Sequence, residues 1–86
     1  MTYITFPLQL KSARTVVEVT LSGSESDVFL VDDTNLSSFK RGGRYTYYGG
    51  HYEASPVRLH PPSGGHWNAV VVPSGGHVEA SVRTIG

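Results

Sequence analysis

Short runs of β-branched and aromatic residues alternate with clusters of Gly, Pro, Ser and Asp along this chain, and helical periodicity is almost absent. A helix needs apolar residues every three or four positions, whereas period-two runs bounded by turn formers specify strands. Thr15 to Leu21 is the clearest case: Val17, Val19 and Leu21 share one face, and Glu18 and Thr20 the other. Tyr3 to Leu8 predicts a first strand, with Pro7 holding it to a sheet edge or a bend because proline lacks a ladder N–H. After the turn Ser22-Gly23-Ser24, Asp27 to Val31 predicts a short third strand. Asp32-Asp33-Thr34-Asn35 is turn chemistry, and Leu36 to Lys40 fits a single helical turn.

Gly42-Gly43 predicts a hairpin into a strand from Arg44 to Tyr48, ended by Gly49-Gly50. Tyr52 to His60 reads as extended, with Pro56 again marking an edge or a bulge. Trp67 to Val72 reads as a central strand because Trp67, Ala69 and Val71 on one face and Val70 and Val72 on the other are all apolar. Val78 to Ile85 closes the series. The expectation is an all-β single domain over residues 1–86, with about seven short strands in a small sandwich or irregular barrel. Trp67, Val17, Val19, Leu21, Val71 and Val82 form its expected core.

Only 38% of the 86 residues are hydrophobic, which is lean for a domain of this size. Small cores are commonly supported by disulfides, metals or self-association. The chain has no cysteine, so disulfides and thiolate metal sites are excluded. Seven basic and seven acidic residues balance, which argues against general nucleic-acid binding through phosphate neutralisation. Met1 to Leu10 has neither the basic region nor the long apolar stretch of a secretory signal. The longest apolar run, Ala69 to Val72, is too short to span a membrane. These features point to a cytoplasmic protein, or to a component of a virion or other particle.

Gly49-Gly50-His51, Gly64-Gly65-His66 and Gly75-Gly76-His77 repeat one motif at irregular spacing, consistent with one turn chemistry used three times. His51 and His77, with Glu53 or Glu79, are weak candidates for a metal site, because alternating strand directions leave at most these two histidines at one end. Turn-flanking histidines account for the pattern without a metal, and no cofactor is implied. Lys40, Arg41 and Arg44 surround Gly42-Gly43, a loop that could hold an anion, although an ordinary solvated turn accounts for it more readily. Tyr45, Tyr47, Tyr48 and Tyr52 follow, with Tyr45 and Tyr47 expected on one face, Tyr48 on the other, and Tyr48 and Tyr52 exposed. Asp27, Asp32 and Asp33 have no calcium-loop spacing, and no serine sits in a nucleophile elbow.

The motifs Tyr47-Tyr48-Gly49-Gly50-His51, Ser55-Pro56-Val57-Arg58-Leu59, Gly65-His66-Trp67, Gly75-Gly76 and Ala80-Ser81-Val82-Arg83 occur in that order. With them the chain resembles the bacterial family catalogued as domain of unknown function 1883. Val16 to Gly23, Val28, Asp32 and Asn35 extend the likeness more loosely into the first half. The resemblance implies a small, mostly β fold, found alone or fused ahead of TIR domains, which are signalling and NAD-consuming immune modules. It implies no established activity and no catalytic residues. A nucleotide-derived ligand at the basic loop would suit that context.

The leading functional expectation is a non-enzymatic binding or protein-interaction module, linked to TIR-type immune signalling. Its contact residues are expected to be Lys40, Arg41, Arg44, Tyr45, Tyr48 and Tyr52. A protein partner or self-association is expected. The alternatives are a structural accessory protein of a larger assembly such as a phage particle and, more distantly, a histidine-based metal-dependent hydrolase.

Overall fold

A computed structural model describes residues 3–86. The element order is β1 (Ile4–Leu10), β2 (Val16–Gly23), β3 (Ser26–Val31), α1 (Asp33–Lys40), β4 (Tyr48–Tyr52), β5 (Val57–Leu59), β6 (Gly65–Pro73) and β7 (Val78–Ile85). Two antiparallel sheets, ordered β1-β6-β3-β4 and β5-β2-β7, face each other as a small sandwich and do not close into a barrel. The all-β expectation therefore holds, with the sandwich as its form.

Alternation along β2 and β6 builds the space between the sheets. Val17 and Val19 join Val28, Leu30, Ala69 and Val71 in one buried cluster that also takes in Leu10, Val57, Leu59, Trp67 and Val78. Of the expected core, Trp67, Val17, Val19 and Val71 are buried, while Leu21 and Val82 are half-buried against the same cluster. The Trp67 indole N–H donates to the Ser63 carbonyl at 3.1 Å, satisfying its polar atom. β6 lies between β1 and β3, as its two apolar faces require. Its other face, with Val70, joins Phe29, Val31 and Phe39 in a second cluster that α1 covers from outside the sandwich. β1 and β5 are both edge strands, in keeping with Pro7 and Pro56.

The segment after β3 departs from expectation. The helix runs two turns instead of one, because both ends are capped. Asp32 accepts the Asn35 N–H at 2.8 Å at the start. At the finish the Gly42 N–H donates to the Phe39 carbonyl and the Gly43 N–H to the Ser38 carbonyl. With Gly42 at φ +77°, this is a Schellman stop, so Gly42-Gly43 ends a helix and opens no hairpin. Residues 43–47 are irregular rather than a strand. The Thr46 N–H is held by the Asn35 side-chain oxygen at 2.8 Å rather than by a sheet neighbour. The strand instead begins at Tyr48 and contains Gly49 and Gly50, which do not end it. The expected extended stretch from Tyr52 to His60 shrinks to Val57–Leu59.

Candidate functional site

The outer face of the four-stranded sheet carries a chain of aromatic rings. Phe29 of β3 is the floor. Phe39 from α1 meets it edge-on at 5.6 Å between centroids, and Tyr45 stacks on it at 5.8 Å with planes 30° apart. Tyr47 lies against both Phe29 and Tyr45, at 5.4 and 5.5 Å. Tyr45 and Tyr47 thus share one side although their backbone is not a strand. Tyr48 points to the other side, edge-on to Trp67 at 5.7 Å. Tyr48 is exposed, whereas Tyr52 is half-buried against the inner core. The expected exposure of Tyr52 is corrected by that packing.

Between these rings and β4 lies a hollow of about 240 Å³, lined by Asp27, Phe29, Tyr45, Tyr47, Gly50 and His51. Asp27 and His51 are directly opposed in the β3–β4 register, which brings the Asp27 carboxylate to 2.8 Å from His51 Nδ1. Glu25 lies 3.3 Å from His51 Nε2. The Asp27 hydrogen bond, reinforced by Glu25 and opposed by partial desolvation, raises the His51 pKa above its ordinary value. At neutral pH the imidazole therefore carries more positive charge than a free histidine, set between two carboxylates. Glu25, His51 and Glu53 each place one ligand atom within 4.8 Å of the others, all exposed, and are the residues that could hold a metal ion among the described residues. His77 does not join them; its Nε2 lies 3.9 Å from Glu79. His66 faces Asp33 at 3.2 Å.

A second hollow, of about 410 Å³, runs between β4 and β5 and is bounded by Tyr48, Gly49, Tyr52, Arg58 and His60. Gly49 is tightly placed: a Cβ there would lie 2.6 Å from Phe29 Cα and would run into the Val28 carbonyl oxygen. Lys40, Arg41 and Arg44 are exposed at the end of α1 and in the loop after it, and none lines either hollow. On the opposite sheet, Arg58 and Arg83 flank Glu18 in register and donate to it at 3.2 and 2.7 Å. The Arg83 hydrogen bond, with Arg58 adding, holds the Glu18 carboxyl below its ordinary pKa against partial desolvation.

Tyr45, Tyr48, Tyr52 and His51 are visible in the sequence as candidates; Phe29 is not, and Asp27 reads there only as an acid without calcium-loop spacing. Their only signal is their register against β4, which appears once the strands are paired. No helix among the described residues is long and apolar enough to cross a membrane. The family model for a domain of unknown function (DUF1883) matches residues 1–85. No curated protein and no solved structure matches the chain.

Proposed function

Starting from a chain that belongs to the DUF1883 family, we propose that it is a non-enzymatic protein-interaction module whose contact surface is the Tyr45–Tyr52 segment. The observation that carries this reading is the aromatic hollow with Asp27 and His51 at its rim. At about 240 Å³ it is smaller than the roughly 300–1,000 Å³ of small-molecule pockets. That volume suits one side chain of a protein partner better than a whole nucleotide. Rigid tyrosines supply contact area at small entropic cost, and Tyr47, 51% exposed, stands free to make it. Lys40, Arg41 and Arg44 flank the surface and would act through their field, steering an acidic partner without entering the hollow.

The setting we propose is TIR-linked bacterial signalling, so the probe is a purified bacterial TIR domain. Tyr47→Ala should weaken its binding at least about tenfold, the scale of an interface hot spot. Arg41→Ala with Arg44→Ala should reduce the salt dependence of binding and leave the melting temperature nearly unchanged. Unchanged affinity in Tyr47→Ala would remove this surface from the interface.

A further inference from the structure

Four strands lie at sheet margins among the described residues: β1 and β4 in one sheet, β5 and β7 in the other. An open margin presents unpaired N–H and C=O groups and recruits another strand unless something blunts it. Three of these margins are blunted. β1 carries Pro7 at its middle. β5 is only three residues long and sits between Pro56 and Pro61. β7 carries Glu79 and Arg83. β4, with the sequence Tyr-Gly-Gly-His-Tyr, has no proline, lysine or arginine, and its histidine is already tied to Asp27 and Glu25. Two of the three exposed large hydrophobic residues, Tyr47 and Tyr48, also adjoin this margin.

The strand reads nearly the same in both directions. We propose that β4 pairs antiparallel with β4 of a second copy of this chain, with Gly50 on the two-fold axis. Tyr48 then faces Tyr52 of the second copy, Gly49 faces His51, and Gly50 faces Gly50. A C2 interface requires this self-complementarity. Tyr48 and Tyr52 both lie on the core side of the sheet, so the two tyrosine pairs join one core to the other. Gly49, lacking a side chain, leaves the space opposite His51 open, so the His51–Asp27 pair is undisturbed. The hollow between β4 and β5 gives room along the same margin. The result is one continuous eight-stranded sheet, β1-β6-β3-β4 followed by its symmetry mate, with the two aromatic hollows side by side on its outer face.

A single five-residue strand pair is smaller than the roughly 1,200–2,000 Å² interface of a stable complex, so the dimer forms with rising concentration. Sedimentation should show the mass climbing from 9.3 kDa toward twice that value as the protein is concentrated. Tyr48→Lys, which places a charge on the margin, should raise the concentration needed on the order of tenfold or more. The sharper test is Gly50→Cys. The chain has no cysteine, and a Cβ at Gly50 meets nothing within 4 Å. Opposed residues of antiparallel strands have Cα atoms about 4.5–5.5 Å apart, within disulfide reach. Oxidation should therefore link Gly50→Cys into a covalent dimer, while Ser74→Cys in the exposed β6–β7 turn stays monomeric at the same concentration. Should Tyr48→Lys lose its fold by far-UV circular dichroism, the cysteine pair still decides.

A single 9.3 kDa species at every concentration would overturn the proposal. So would crosslinking of Gly50→Cys no faster than of Ser74→Cys, or a chain that adds only an extended peptide from another protein. The inference stands on the sheet margin and not on the TIR reading: a chain that dimerises and ignores the TIR probe refutes only the latter.

Discussion

Replacing Trp67 with alanine removes the largest side chain of the inner cluster. The ring is 7% exposed and meets Tyr48 edge-on. Truncating a buried Trp costs about 3–5 kcal/mol. The lost indole bond adds little, because Ser63 is exposed and its carbonyl can take water instead. Stabilities of about 0.05–0.15 kcal/mol per residue give 86 residues about 4–13 kcal/mol. The loss is thus between about a quarter of the fold's stability and all of it. Urea unfolding followed by far-UV circular dichroism reads it directly. With a slope near 1 kcal/mol/M, the low end for small domains, the midpoint should fall by about 3–5 M. Trp67→Phe, which keeps a ring and loses the N–H, should cost only about 1–2 kcal/mol. A midpoint within about 0.5 M of wild type for Trp67→Ala would show that this ring does not anchor the sandwich.

Gly49→Ala should lower the melting temperature by about 4 °C or more, from a cost of at least about 1 kcal/mol, because its Cβ has no room beside Val28 and Phe29. Gly50→Ala, whose Cβ meets nothing, should stay close to wild type in the same melt. Asp27 raises the His51 pKa, so the pair's contribution to stability is complete below the ordinary value of about 6.5 and is lost as pH rises through the raised folded value. In Asp27→Asn, an NMR titration should find the His51 pKa lower and the decline of stability with alkaline pH flatter. Glu18 has the opposite sign: its contribution is complete above the ordinary carboxylate range and is lost as pH falls through the depressed folded value. Glu18→Gln should therefore flatten the acid limb of a stability-against-pH curve; an unchanged limb would show that its two arginines do not hold the carboxylate.

Strands whose own residues decide their burial were legible in the sequence. β2 alternates, β6 is apolar on both faces, and Pro7 and Pro56 mark edges, so each found its place. What was not legible depends on partners outside the segment itself, near or far in the chain. Gly42-Gly43 has the composition of a hairpin turn, and only the carbonyls of Ser38 and Phe39 waiting behind it make it a helix stop. Residues 44–47 look like a strand because Tyr and Thr favour one, yet Phe29 draws Tyr45 and Tyr47 onto the outer face and Asn35 takes the Thr46 N–H. The candidate site follows the same rule. Its tyrosines and His51 are adjacent in sequence, but Asp27 and Phe29 reach them only through a register between β3 and β4.

The placing of strands also bears on how the chain survives its own synthesis. The stretch Ala69 to Val72 in β6 is uncharged and β-prone, the composition of an aggregating segment. Both of its sheet neighbours, β1 and β3, precede it in the chain, so they have already left the ribosome when it emerges. β2, the central strand of the other sheet, is in the reverse position, since β5 and β7 are made after it, and β3 shares that position because β4 and β6 follow it. Both waiting strands carry a charge, Asp27 near the start of β3 and Glu18 in the middle of β2. Until Arg58 and Arg83 arrive, Glu18 keeps a hydrated carboxylate on β2 and acts as its gatekeeper; afterwards the same carboxylate becomes the pin between three strands.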